Sequence, residues 1–343
     1  MRFQLPAMAP SRVVAVLGSL CLAAACLSAC ASSSTTSSNA DGANQLFVAT
    51  TVAPITSIAS AVAGDRAHVE GIIPEGTDSH TYEPAPNVAQ VFSKADLIVV
   101  NGLSLEDPTK DLAEKNKKAS AKILEVGNSV IDPSQYIYDF SFPKKDGKPN
   151  PHLWTDPVYA GKYALVIAKA MSQADPKNAS YYAKNAAAFV KQTTALANAL
   201  RADQKTVPRK VLLTYHDAYA YFGRTFGWTI IGAVQPKNFE DPTPVEIARL
   251  IDQVKAQKVP TIFGSEVYPS KVLEEIGKAT GVKYENSLRD DDLPGNPGDV
   301  EHSWLGLMKY DFTTMVTGLG GKATNVSAVP LTFVSPDKAV YPQ

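Results

Sequence analysis

Apolar and polar positions fall into blocks along the chain, and the blocks switch repeatedly between a strand-like and a helix-like period. Leu46–Thr51 is apolar and β-branched and reads as a strand, while Pro54–Val62 reads as a helix. Ala67–Ile73 predicts a second strand, a helix begins near Pro86 and Asn87, and Asp96–Val100 has the look of a short, fully buried strand. A polar helix around Lys110–Lys118 precedes a strand over Lys122–Val126. Strands that alternate with helices in this way argue for a parallel sheet with helices on its faces.

An irregular, proline-rich stretch from Asp132 to Pro151 interrupts the pattern. A helix should start at Asp156 and Pro157, since Asp caps well and Pro is tolerated in the first turn. From Asp175–Pro176 to about Gln204, Tyr182, Ala186, Phe189, Val190, Leu196 and Leu200 recur at helical spacing. A helix of about 29 residues would reach roughly 43 Å and predicts a rigid spine. The alternation then restarts, with strands over Val211–Tyr215, Trp228–Val234, Thr261–Phe263 and Val282–Glu285. Helices are expected over Ala218–Phe226, Pro244–Gln257, Val272–Ala279 and His302–Gly318. The expected fold is therefore α/β: two lobes, each a parallel sheet flanked by helices, joined by one long rigid helix. Its boundaries fall at residues 45–174 for the N-terminal lobe, 175–205 for the linking helix and 206–343 for the C-terminal lobe. A ligand would sit between the lobes, at the carboxyl ends of strands.

The start of the chain has a different character. Arg2 and Arg12 precede an apolar run from Val13 to Leu27, the layout of a secretory signal over residues 1–29 and too short for a spanning helix. Leu27-Ser28-Ala29-Cys30 resembles a bacterial lipobox, in which the Cys thiol receives lipid after cleavage. Residues 30–44, nearly all small and polar, read as a flexible tether. An extracytoplasmic protein, lipid-anchored to the cell membrane through Cys30, is the expectation. Cys21 and Cys26 fall in the signal, so the mature chain has no cysteine pair and must rely on packing or on a ligand. The net charge of −1 falls to −3 once the two signal arginines are removed, which gives no support to nucleic-acid binding.

Candidate chemistry lies in the five histidines. His80 follows the second strand in Pro74-Glu-Gly-Thr-Asp-Ser-His80, His152 stands just ahead of a helix in Asn150-Pro-His-Leu-Trp-Thr-Asp156, and His216 directly follows Val211–Tyr215. Neutral imidazole suits zinc and other borderline divalent metals, though these spacings form no local zinc motif. His68 and His302 read as structural, and Glu266 as a partner that orients a ligand or pairs with a lysine.

These segments resemble a known family. Ile73–Pro84, Ala95–Leu103, Pro151–Pro157, Tyr215–Phe222 and Ile262–Glu266 are similar, in order, to the metal-binding lipoproteins of zinc/manganese ABC importers. The resemblance implies one metal held between two lobes by His80, His152 and His216. It also implies a membrane permease with its ATPase as partners, a monomeric protein and no enzymatic role. The family's usual fourth ligand is Asp in an Asp-Ser/Ala-Leu sequence, where this chain has Asn286-Ser287-Leu288. Asp290, in the acidic run Asp290–Asp292, is the leading replacement, with Asn286, Asp291 or water as alternatives. Three imidazoles favour Zn2+ over Mn2+, which leans toward carboxylate-rich sites. A zinc hydrolase with an open three-His site and a metal-stabilised surface adhesin are the competing functions. No His-Glu-x-x-His sequence supports the hydrolase.

Overall fold

The computed structural model describes residues 45–233, 242–265, 271–286 and 288–343. The signal, the tether, Cys30 and Glu266 lie outside them. The first half forms a four-stranded sheet from β1 (Leu46–Thr50), β2 (Ala67–Gly71), β3 (Leu97–Val100) and β4 (Lys122–Glu125), in the order β2-β1-β3-β4. The second half repeats that order as β6-β5-β7-β8, from β5 (Val211–Thr214), β6 (Thr229–Ala233), β7 (Thr261–Phe263) and β8 (Lys283–Glu285). All pairings are parallel.

Helices follow the strands: α1 (Ala53–Ala63), α2 (Val88–Lys94), α3 (Asp107–Asn116) and the short α4 (Val126–Val130) in the first half. Between the halves lie α5 (Pro157–Ala174) and α6 (Ala179–Asp203). The second half carries α7 (Ala220–Phe226), α8 (Pro244–Gln257), α9 (Lys271–Thr280), α10 (Trp304–Gly318) and α11 (Thr324–Ala328). Local signals explain several starts. Asp156 caps α5 by accepting from Val158 N, Thr243 and Glu246 form a capping box on α8, and Ser303 caps α10. No described helix is long and apolar enough to cross a membrane.

Helix α6, with single 3-10 turns at Pro176–Asn178 and Gln204–Thr206, joins the lobes as expected but begins later than Asp175. Pro176 disfavours helical geometry at Asp175, whose φ is −135°. The Asp175 carboxylate instead accepts from Asn178 Nδ2 (2.7 Å) and from the Tyr182 hydroxyl (2.8 Å), which ties down the turn.

Alternation along the strands divides the core. Val48, Leu97 and Val99 of the first sheet share one continuous core with Leu212 and Phe263 of the second, through Ile55, Tyr163, Phe189, Phe222, Trp304 and Phe312 on the intervening helices. The opposite faces carry smaller clusters. Ala49, Ile98 and Val100 meet Phe92 and Ala113, while Val211, Leu213 and Ile262 meet Leu250, Val254, Leu273 and Ile276. Strands buried on both faces read as continuous apolar runs, which is why Leu97–Val100 and Val211–Thr214 were legible. Gly161 lets α5 approach α6 closely, since a Cβ there would meet Thr193 Oγ1 at 3.0 Å.

The outer edge of the first sheet is covered by the far end of the chain. Val340 N donates to Val69 O (2.9 Å), and Gly71 N donates to Val340 O (2.9 Å), in a parallel bridge. Nothing in the sequence pattern announced that pairing.

Candidate metal centre

His216 follows β5 near the point where the strand order of the second sheet reverses, the usual place for a ligand in an open α/β sheet. His152 precedes the capped start of α5, and His80 stands on the long loop after β2. The structure brings these three residues together. Their Nε2 atoms are separated by 2.9 Å (His152–His216), 3.1 Å (His80–His152) and 3.3 Å (His80–His216). A tetrahedral ion with bonds of 2.0–2.1 Å needs ligand separations of about 3.3–3.4 Å, so the donor set fits a transition metal after slight spreading.

The supports of the three rings differ. Asn150 donates both amide protons elsewhere, to Asp139 Oδ2 (2.8 Å) and Asp217 O (2.7 Å), so its Oδ1 is an acceptor. That oxygen takes His152 N at 3.0 Å and His152 Nδ1 at 2.9 Å. The His152 proton is thereby held on Nδ1, and the Nε2 lone pair faces the other two rings. Behind this loop, Asn101 Nδ2 donates to Pro151 O (3.0 Å), and Asn101 N donates to the buried carboxylate of Glu106 (2.7 Å). Burial pushes the Glu106 carboxyl up to about 7.

Phe142 packs against His80 and His152, with ring centroids 5.5 and 5.7 Å away. Burial first, and electrostatic coupling to the neighbouring His216 ring second, hold His80 and His152 well below the ordinary histidine pKa. Both rings therefore stay in the neutral, ligating form. Burial and then the neighbouring Asp139 carboxylate push Asp217 well above the usual carboxylate range. A groove of ≈ 280 Å³ reaches His80 from the surface, lined also by Ser104, Phe142, Asp146 and Lys148.

The acidic run does not lie in solvent, as a charge run usually does. Asp290 is 6% exposed; its Oδ2 lies 3.7 Å from His216 Nε2, and its Oδ1 accepts from Ser265 Oγ (3.3 Å). That gap is wider than the roughly 3.3–3.4 Å between ligands of a tetrahedral ion, and Asp290 stands outside the three-His group whose donor atoms lie within 4.8 Å of one another, so its carboxylate must move inward to share their ion. The Trp154 indole donates to Asp290 O (2.8 Å), which ties this segment to the His152 loop. Asn286 stands exposed just past β8. Asp291 is turned toward Ser79, whose hydroxyl donates to its Oδ2 (2.7 Å).

The other two histidines stand outside the three-His group. His68 lies on β2 against Phe47, with Nε2 3.5 Å from Glu70 Oε2. His302 is 1% exposed, edge-on to Tyr341, with Nε2 3.6 Å from Glu75 Oε2. Asn150 was missed by sequence reasoning, although an Asn two residues ahead of a ligand-type His, with Pro between, is a usable signal for an oriented imidazole.

Comparison with known proteins gives the chain a family. A family profile described as "Zinc-uptake complex component A periplasmic" matches residues 48–318. The iron-binding protein YfeA of Yersinia pestis is 30% identical over 283 residues, covering 82% of this chain and 88% of its own. The manganese-binding lipoprotein MntA of Halalkalibacterium halodurans is 28% identical over 276 residues, 80% of this chain and 88% of its own. Among solved structures, the periplasmic zinc-binding protein TroA of Treponema pallidum superposes with a TM-score of 0.73 at 24% identity, covering 80% of this chain and 99% of its own, a likeness of fold. Profile, relatives and fold converge: this chain belongs to the family of periplasmic zinc-uptake component A proteins.

Proposed function

We propose that the protein is an extracytoplasmic solute-binding lipoprotein that captures one divalent transition metal and delivers it to an ABC permease driven by its ATPase. The observation that carries the reading is the convergence of three histidine Nε2 atoms within 3.3 Å of one another beside the buried Asp290 carboxylate. His80, His152 and His216 are the neutral ligands. Asp290 is the fourth, in preference to Asn286, because it offsets charge that three neutral imidazoles leave whole in a low-dielectric cleft. Relatives are named for manganese and iron and a structural neighbour for zinc. The ligand set here, three imidazoles and one carboxylate, favours zinc, with manganese second. The metal is cargo, so the chain's task is to hold it and let it go. Burial keeps two imidazoles deprotonated, Asn150 aims one of them, and the groove at His80 gives the ion a way out.

The lobes follow the division at 45–174, 175–205 and 206–343, and the protein acts as a monomer. Cys30 carries the lipid that keeps it beside the permease, and Cys30→Ala should leave a protein that is not labelled with fatty acid and does not stay in the membrane fraction. Normal labelling of that variant would remove the anchor from the scheme. The capture reading is tested by native mass spectrometry and calorimetry on the metal-stripped mature protein, titrated with zinc and with manganese. One ion per chain, tighter for zinc, is expected. A stoichiometry above one, or zinc affinity unchanged in His152→Ala, would overturn the site. A hydrolase would instead keep an open position on the metal, and Asp290→Asn would then leave zinc affinity unchanged.

A further inference from the structure

The loop that carries His80 is fastened to the opposite loop by the two acidic residues that the metal site leaves unused. Gly76 N donates to both carboxylate oxygens of Asp292, at 2.8 and 2.9 Å. Ser79 Oγ donates to Asp291 Oδ2 at 2.7 Å, one residue before His80. In the reverse sense, Leu293 N donates to Glu75 Oε1 at 2.8 Å. Four consecutive residues, Asp290 to Leu293, therefore face the metal site or grip the segment from Glu75 to Ser79. Gly76 has φ +76°, a left-handed conformation that glycine adopts at little cost and that presents its N–H to Asp292.

We propose that Asp291 and Asp292 are positioning residues that hold His80 in coordinating geometry and thereby set how fast the metal leaves. The inference rests on the metal-capture reading above. An ion shared by His80 and Asp290 is one tie between the two loops, and the Ser79–Asp291, Gly76–Asp292 and Glu75–Leu293 contacts are the others. His80 stands beside the open groove, whereas His152 is buried at 0% exposure. Release along the groove requires the His80 ring to withdraw, and its loop cannot withdraw while the acidic residues grip it. The grip also places the ring before the ion arrives, which removes part of the ordering cost of binding. Neither carboxylate touches the ion in this scheme; each acts through the loop that presents His80.

The test is the rate of zinc release from the loaded mature protein into excess chelator, followed by stopped flow. Asp292→Ala and Ser79→Ala should each release zinc faster, by about tenfold, the lower end of what losing a ligand's supporting partner costs. Asp291→Ala combined with Ser79→Ala should be no faster than either alone, because both remove one contact. A merely structural role is separated by repeating Asp292→Ala in a His80→Ala background. If the carboxylate acts through His80, the residual zinc affinity there is the same with and without it. Asp292→Asn keeps the volume should Asp292→Ala fail to fold, and its release should lie between wild type and Ala. Unchanged release in Asp292→Ala and Ser79→Ala, or an equal loss with His80 absent, overturns the proposal. Failure of the capture reading is a different result: wild type and His152→Ala would then bind zinc alike.

Discussion

His80 and His152 offer the same atom to the same point, yet their loops are built in opposite ways. The His152 loop is short and lies in the continuous core. Asn150 fixes the ring from one side, Trp154 and Thr155 are fully buried beside it, and Asp156 starts α5 immediately after it. Its support comes from within a few residues and from Asn101 behind it. The His80 loop is long, carries glycine and several polar residues, and takes its main fastenings from residues more than 200 positions away. One proposed ligand is preorganised by its own surroundings, and the other is held in place by the acidic run opposite. A cargo site needs both, since tight capture calls for preorganisation and delivery for one ligand that lets go.

The sharpest way to break this contrast is to remove each ring. His152→Ala and His80→Ala should both weaken zinc binding sharply in calorimetry, each leaving a residual affinity at the ligands that remain. They should differ in the metal-free protein, where His152→Ala opens a cavity in the core and lowers Tm, while His80→Ala leaves Tm nearly unchanged. Equal destabilisation would mean that the His80 loop is as integral to the fold as its counterpart.

Next in size is the support behind His152. Asn150→Ala should weaken zinc binding by roughly 10–100-fold in calorimetry, because the ring loses the acceptor that fixes its tautomer. It should also lower Tm, since Asn150 bonds Asp139 and the Asp217 carbonyl as well. Asp292→Ala, by contrast, should speed release with a smaller change in Tm.

Acidification gives a third, smaller effect with a definite sign. His80 and His152 have pKa values in the folded state below the ordinary 6.5, so the unfolded chain binds more protons than the native one as pH falls below 6.5. The stability of the metal-free protein that depends on these neutral rings is present above pH 6.5 and lost progressively below it. Thermal melts between pH 7.5 and 5 should show the decline, reduced in His80→Ala. Zinc should shift the same melts upward, by roughly 4 kcal/mol at a thousandfold excess over Kd. The smallest expected change is the control: His68→Ala, on a half-exposed strand position, should bind zinc as wild type does. His302→Ala is not equivalent to it, since its ring is buried between Glu75 and Tyr341 and its loss leaves a cavity.

Much of this molecule was legible because its signals are local. Runs such as Leu97–Val100 and the cap at Asp156 are decided within a few residues, and they located a strand and a helix to within a residue or two. The three ligand-type histidines were visible as residues at strand ends or helix starts, and the family resemblance joined them. What stayed hidden depends on distant partners. An extended segment would put Asn286 and Asp290 on one side, yet the first is exposed and the second buried, because Trp154 and Ser265 draw Asp290 inward. The contacts of Asp291 and Asp292 to Ser79 and Gly76 stayed hidden because nothing near the acidic run in sequence discloses those partners. Asp175–Pro176 read as a helix start, and the carboxylate's bonds to Asn178 and Tyr182 made it a turn instead.

The bridge at Val340 bears on how the protein is assembled. The first sheet precedes the second in the chain, yet its β2 edge is bridged by Val340, far beyond both sheets in sequence. Until that segment arrives, the edge presents unpaired N–H and C=O groups, the kind of template to which other chains add. A chain shortened before Val340 would keep all its proposed ligands and still carry that open edge permanently. Its expected fault is self-association, with the metal site intact in whatever remains dispersed.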